Sequence, residues 1–562
     1  MAAGGSEGYR RSWWRRVPPW GIACAVLAVG LGLTLHQLGS HPLVDFDEAI
    51  NAVIIRHMGQ SGNWLVPIYN GSAHLRRPPL YFWAAALVAG GLHQFSPFAY
   101  RLPAAITASV LGAGLAVTLP RQFRWPAWVG AVAGLALLTM PYFLILSREA
   151  MLSGPAAALV AATVLSGWAM VRGRGGWPAA IAFGAFLGLL ALEDSAIALV
   201  PLAVLVVDTA ARRRRPGFTL RQLAVAVLVA AAIGGFWPLL MSFRYGPGFW
   251  DQYLAQNVVA RVGSGTESGA RPIYYYLPLL AGGLGAFGPP LAVCLVGSWR
   301  RAWRSPDSAE RLAVIWLVVS VAGFSAAVTK LPWYMASVYP AMAILLAAPL
   351  GRLGEWRAAK TFHTGWVAVA LGSMIVGLAL ALWPSPHPLV ALMVCVLAGA
   401  AAAVVDLWPR LRRWAPSIPV TSRRPVSARP WLLGLLMASA LVPVGRAAIF
   451  PYTSGAPGLA QSLQPEPTAV PEAAIGSLAA ADRRVPLGLL VGATPTMVYY
   501  SNRNRVAIYS ALATAASRRH AWLITLAGLV PQLRKEAPRL RVLGQRGHLV
   551  LVALAGYPTL AP

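Results

Sequence analysis

Apolar runs of about 15–22 residues recur along this chain, separated by short polar segments, and most are long enough to cross a ~30 Å hydrocarbon core. The first, about Trp20 to Leu38, follows the basic stretch "YRRSWWRR", and reads as an uncleaved first helix because further spans follow it. With the N-terminus inside, spans are expected at 101–120, 127–146, 155–171, 178–192, 195–209, 222–241, 277–298, 312–329, 333–350, 365–383, 388–408 and 431–449. That gives a bundle of about 13 transmembrane helices. The run "LYFWAAALVAGGLHQF" is short for a span and carries His93, so it is placed along the outer surface. The stretch after Asp47 sets Ala49, Ile50, Val53, Ile54 and Met58 against Asn51, Arg56 and His57, which also fits an outer-surface helix.

The pattern changes after about residue 450. A Pro/Gly/Ser-rich linker, "PYTSGAPGLAQSLQPEPTAVPEA", leads into strand-like runs ("PLGLLVG", "RVAIYS", "HAWLITL", "HLVLVAL") and a helix-like run ("GLVPQLRKEAPRL"). The expectation is a membrane domain over 1–450 and a small outer α/β domain over 451–562. No glycine-rich phosphate loop occurs in the tail, and no internal repeat supports an inverted-repeat transporter.

Composition agrees. The chain has 562 residues, of which 57% are hydrophobic and only 12% charged, with 22 Trp. Its net charge of +29 does not indicate nucleic-acid binding, because the basic residues come in bursts between apolar runs, as positive-inside loops do. The "RRRR" at 212–215 is such an inner anchor. Three cysteines in apolar runs suggest neither disulfides nor a Cys-based metal site. His41, His57, His74 and His93 fit no zinc spacing. Lysine is rare (Lys330, Lys360 and Lys535 only), which makes Lys330, at an outer span end, informative.

Against this background, "HPLVDFDEAINAVII" concentrates Asp45, Asp47 and Glu48, although the chain has only 18 acidic residues. The same topology puts Glu149 and the pair Glu193–Asp194 outside. Carboxylates at a membrane boundary need partners or water. Arg76 and Arg77 precede two prolines that stiffen the loop. A carboxylate base and a guanidinium on one face suit a phosphate-bearing substrate and a hydroxyl nucleophile.

The ordered set D-E-A, "NWLVPIYNG", "RPPLYFW", "RLPAA", "SREAML", "YGPGFWDQYLAQNVVAR", "PIYYYLPLLAGGLGAFGPP" and "TKLPWYMASVYPAMAILLA" resembles glycosyltransferase family 39 over roughly residues 40–350. Within it, the chain looks like bacterial lipid A aminoarabinose transferases. The resemblance implies a GT-C architecture and a polyprenyl-phosphate-linked sugar donor, used at the outer face of the cytoplasmic membrane. By position it implies Asp47 as principal catalytic carboxylate and Glu149 as second acid. Arg77, Lys330, Tyr334, Arg261 and Arg271 would bind the donor phosphate, with Glu48, Asp45, Tyr81 and Asn257 in support. The partners implied are the lipid-linked donor, a glycolipid, glycan or protein acceptor, and the bilayer. No cofactor is expected: where some relatives carry metal ligands this chain has Arg76 and the His-free "GSGTESGARP". Arg77 replaces the usual Lys, Glu149 the usual Asp, and Asp194 stands where many relatives have Lys, which bears on substrate identity more than on reaction class. The competing readings are a polytopic lipid or sugar transporter or flippase, which would bury ionisable groups mid-span, and a noncatalytic envelope assembly protein.

Overall fold

In the computed structural model the described residues are 19–40, 42–43, 47–212, 215–263, 271–284, 287–351, and segments between 487 and 553. The spans expected at 365–383, 388–408 and 431–449, the linker and the domain boundary near 450 lie outside them. The ten spans expected before residue 352 all fall on helices.

Helix α1 (Pro19–Leu35) is followed by α2 (Asp47–Ser61) and a hairpin of β1 (Ile68–Tyr69) and β2 (Ser72–Ala73). The hairpin turns on Asn70 and Gly71, both with positive φ, the Asn-Gly signature of a two-residue turn. Next come α3 (Leu80–Gly91), α4 (Pro97–Phe123), α5 (Ala127–Thr139) and α6 (Pro141–Leu146). The run expected as one span at 127–146 is broken at Pro141, whose ring cannot continue the helix. Then α7 (Ser153–Val171), α8 (Gly176–Glu193), α9 (Leu199–Arg212) and α10 (Leu220–Tyr245) run back and forth. After α11 (Pro247–Trp250), a π-helix (Asp251–Val259) and α12 (Ala260–Gly263) lie in the stretch between the spans expected at 222–241 and 277–298. The span expected at 277–298 is α13 (Tyr276–Leu284) plus α14 (Gly288–Arg304). Finally α15 (Ala309–Ala326), a 3₁₀ turn (Pro332–Val338) and α16 (Tyr339–Gly351) complete the bundle.

Among the described residues six helical segments, α4, α7, α8, α10, α15 and residues 332–351, are long and apolar enough to cross a membrane. With only 12 residues, α3 is too short, as the sequence suggested, and packs between α2 and α4. Close helix contact depends on small residues. Gly134 of α5 faces the backbone of Gly112 of α4, and Gly184 of α8 faces the backbone of Ala226 of α10, so that a Cβ at either would collide with main chain. Amphipathic α2 forms as expected, but its polar residues Asn51 and Arg56 are buried too. Asn51 Nδ2 donates to the Ala150 carbonyl at 2.9 Å, so protein replaces water on that face.

Every described loop sorts to one of two ends. At the basic end, a buried network ties α7, α9 and α15 together. Arg172 donates to Asp208 (2.6 Å) and Asp307 (3.2 Å), Arg311 donates to Asp208 (3.2 Å), and Arg212 lies 3.4 Å from Asp307. Nothing in the sequence pattern marked this network beyond Asp208, an acid near the end of an apolar helix.

The C-terminal segments form a five-stranded sheet in the order β4-β3-β5-β7-β6, with β3 (Leu487–Leu490), β4 (Ala507–Tyr509), β5 (Trp522–Leu526), β6 (Arg541–Arg546) and β7 (Leu549–Ala553), and a helix α17 (Val530–Glu536) after β5. The first three strands pair in parallel and β7 joins β5 antiparallel. Four strands fall on the expected runs. β6 was not anticipated because "RVLGQR" is largely polar: it is an edge strand.

Candidate active site

At the end opposite the basic network, Asp47 opens α2 and Arg77 closes the hairpin loop before Pro78–Pro79. Arg77 Nη2 donates to Asp47 Oδ2 at 2.9 Å, with both side chains about 15% exposed. Burial works against the Arg77 charge, but the carboxylates of Asp47 and Asp194 outweigh it and hold its pKa above the usual arginine value. Tyr334 also lies within electrostatic range of Arg77. Asp194 caps the following turn, its Oδ1 accepting from the N–H groups of Ala196 (3.2 Å) and Ile197 (3.3 Å). Adjacent Glu193 is buried, with Oε1 lacking a hydrogen-bond partner among the described residues.

Glu48, next to Asp47, points into protein. It is 1% exposed, accepts from Arg101 Nε (2.7 Å) and Nη2 (2.9 Å), and accepts from the Ala150 N–H (2.7 Å). Arg101, fully buried, also donates to the carbonyls of Leu38 (3.0 Å) and Pro42 (2.9 Å). One ion pair therefore fixes the end of α1, the start of α2 and the 147–152 loop. Asp47 and Glu149 each sit one residue before an anchor point, Glu48 and Ala150 respectively. Arg148 extends the same clamp, donating to the carbonyls of Leu33 (2.8 Å) and His36 (2.6 Å). Sequence reasoning missed Arg101 and Arg148. Both lie in the motifs "RLPAA" and "SREAML", but nothing local to either motif shows that the arginine reaches groups on other elements.

Glu149 is half-buried, and its carboxyl makes no hydrogen bond or ion pair among the described residues. Burial, reinforced by the Glu48 charge and moderated by Arg101, pushes its carboxyl up to about 8. It can therefore exchange a proton near neutral pH.

Lys330 follows α15, is 5% exposed and donates from Nζ to the Ala327 carbonyl at 2.6 Å. No carboxylate pairs with it among the described residues. Tyr334 stacks on Phe324 with ring centroids 5.3 Å apart, and Tyr276 donates its hydroxyl to the Leu331 carbonyl at 3.2 Å. Tyr276 is thus a buried anchor, whereas Tyr274 is exposed as an interfacial residue would be. Tyr81 is buried and donates to the Tyr100 carbonyl at 2.7 Å, which fastens α3 to α4. Arg271 is exposed and sits 5.3 Å over the Tyr275 ring. Asn257 lies on the π-helix and Arg261 on α12. Their side chains, and Asp45, fall outside the described residues.

Asp47, Arg77, Asp194 and Tyr334 are thus brought together from four parts of the chain, and the Glu48–Arg101 clamp ties the residue after Asp47 to the residue after Glu149. Chemically this is a carboxylate paired with a guanidinium, with a proton-exchanging acid on an adjoining loop, a set able to accept a proton while stabilising an anionic leaving group.

No protein-family model matches the chain. Among curated proteins it is similar to undecaprenyl phosphate-alpha-4-amino-4-deoxy-L-arabinose arabinosyl transferase 1 of Pseudomonas fluorescens, 26% identical over 377 residues, covering 64% of each chain. The corresponding transferase of Aeromonas salmonicida is 27% identical over 407 residues, covering 68% of this chain and 72% of that one. Transferase 1 of Sodalis glossinidius is 30% identical over 341 residues, covering 58% and 59%. The match thus spans under two thirds of the Pseudomonas and Sodalis relatives' length. Among solved structures, ArnT from Cupriavidus metallidurans bound to undecaprenyl phosphate superposes with a TM-score of 0.67 at 22% identity, covering 96% of this chain and 99% of that one. The archaeal oligosaccharyltransferase AglB from Archaeoglobus fulgidus superposes at 0.51 with 12% identity, covering 92% and 70%. The chain is therefore a multi-pass membrane protein with the GT-C fold, homologous in sequence to the undecaprenyl phosphate-aminoarabinose arabinosyltransferases.

Proposed function

We propose that this protein is a membrane glycosyltransferase that moves a sugar from a polyprenyl-phosphate-linked donor to an acceptor hydroxyl on an envelope glycolipid, glycan or protein. The reaction takes place at the outer, periplasmic face of the cytoplasmic membrane. The observation that carries this reading is Arg77, a cation bonded to Asp47 and within range of Asp194 and Tyr334, on the same end of the bundle as buried Lys330. The curated relatives, named for transfer from an undecaprenyl phosphate sugar, support the donor class. The excess of basic residues at the opposite end supports the orientation.

In this reading the acceptor oxygen attacks the anomeric carbon as the bond to the donor phosphate breaks. The acceptor proton passes to Asp47. Arg77 and Lys330, with Arg261, Arg271 and Tyr334, receive the charge that develops on the departing polyprenyl phosphate. Glu149, titrating near neutrality, is the second proton-handling group. The bundle forms the transferase domain up to about residue 450, and the C-terminal sheet belongs to a separate outer domain.

The test is transfer from a polyprenyl-phosphate sugar in purified membranes, together with mass spectrometry of envelope glycolipids with and without the protein. Asp47→Asn should abolish transfer while expression holds. Full activity in that variant would remove Asp47 from the chemistry. A glycolipid and glycan profile that is unchanged when the protein is missing would overturn the transferase reading itself.

A further inference from the structure

The strongest unassigned feature is an apolar groove of about 590 Å³ at the basic end, walled by α7, α8, α9 and the start of α10. Its lining includes Met170, Phe183, Leu205, Phe218, Leu223 and Val227. The volume is in the range of small-ligand sites, roughly 300–1,000 Å³. The one hydroxyl on its wall, Thr209 Oγ1, is already committed to the Leu205 carbonyl at 2.6 Å, so the groove offers only hydrocarbon contact. Among the described residues its rim is uncovered: the flanking Val206 and Val227 are 67% and 57% exposed, as lipid-facing side chains of a spanning helix are. The candidate active site is a helix away: 18 residues of α8 separate the two ends, roughly 27 Å at 1.5 Å per residue.

The mouth has a definite charge. The Gly217 N–H donates to the Val171 carbonyl at 2.7 Å, which holds the 215–219 loop against the end of the groove. Arg215 and Arg221, on either side of that contact, are exposed and have no carboxylate partner among the described residues. The described acids at this end are already paired: Asp208 with Arg172 and Arg311, Asp307 with Arg172 and Arg212, and Glu310 with Arg301. An apolar slot open to the bilayer, ending at uncompensated arginines, complements a molecule with an acyl chain and an anionic head.

We propose that this groove binds one anionic phospholipid, its acyl chain between α9 and α10 over the floor formed by α8, and its phosphate at Arg215 and Arg221. Basic residues near a membrane surface each strengthen attraction to anionic lipid severalfold, so the pair should give headgroup selectivity as well as retention. This site is independent of the transfer chemistry at the other end.

The experiment is native mass spectrometry of the full, delipidated chain, titrated with phosphatidylglycerol and with phosphatidylcholine of identical acyl chains. One phosphatidylglycerol should bind at least about tenfold more tightly than phosphatidylcholine. Arg215→Gln/Arg221→Gln should weaken phosphatidylglycerol binding about thirtyfold and leave phosphatidylcholine unchanged. Val206→Trp/Val227→Trp, at exposed positions that tolerate bulk, should fill the groove and lose both lipids. Transfer activity at the opposite end should persist in both variants, so failure here is distinct from failure of the transferase reading. Equal affinity for the two lipids, unaltered binding in either variant, or full competition by glycerol phosphate without acyl chains would each overturn the proposal.

Discussion

Arg101→Met tests how the site is held. Arg101 makes two bonds to the Glu48 carboxylate and two to carbonyls, of Leu38 and Pro42. Removing the guanidinium leaves Glu48 buried without its two charge-assisted bonds, and deleting one member of a buried pair costs about 3–5 kcal/mol. Glu48→Gln should cost a similar amount by stranding the Arg101 charge. The double variant Glu48→Gln/Arg101→Met removes both charges, so its cost should fall short of the sum of the singles by about 2 kcal/mol. Unfolding free energies from detergent titration of the four proteins close the cycle. The functional consequence differs from simple destabilisation. Because Glu48 and Ala150 adjoin Asp47 and Glu149, well-folded fractions of the single variants should show a lower kcat with donor KM nearly unchanged. Single-variant costs below about 1 kcal/mol, or strict additivity, would refute the clamp. A rise in donor KM at constant kcat would refute its positioning role.

Glu149 predicts a pH signature. Its folded pKa, about 8, lies above the ordinary glutamate value, so the folded chain holds a proton that the unfolded chain releases. Its contribution to stability is present at low pH and is lost as pH rises toward 8, and Glu149→Gln should flatten that slope in thermal unfolding between pH 5.5 and 8.5. A transfer-rate inflection near pH 8 should disappear in the same variant. Arg77→Ala and Lys330→Met should each raise donor KM, since each removes a cation from the phosphate's end of the bundle, and an unchanged KM counts against that role. Asp208→Asn, which removes the acceptor shared by Arg172 and Arg311, should destabilise the fold by about 3 kcal/mol and leave donor KM as it was. A periplasmic-type reporter fused after Lys330 should be active and one after Arg215 inactive, which checks the orientation.

Much of this was written in the sequence because a bilayer leaves the chain few options. Apolar length fixes where helices cross, and arginine-rich loops fix which ends share a side. Every expected span before residue 352 falls on a helix. The hairpin was legible in Asn70-Gly71, and the break at 140–141 could have been read from Pro141. The ordered motifs also named Asp47, Arg77, Glu149 and Lys330 as one set.

What the sequence did not determine was which charge meets which. Asp47 and Glu48 are neighbours in an identical local context, yet helical geometry turns them about 100° apart. Asp47 meets Arg77 from a loop thirty residues on, and Glu48 meets Arg101 from another helix. The same holds for Arg172, Asp208 and Arg311, which are scattered over 139 positions and joined only by the packing of α7, α9 and α15. The raised Glu149 pKa arises from burial and from Glu48, 101 positions earlier. Periodicity and hydrophobic length act locally and so are carried by the sequence, whereas ion pairing and desolvation depend on separations that exist only once the helices have packed.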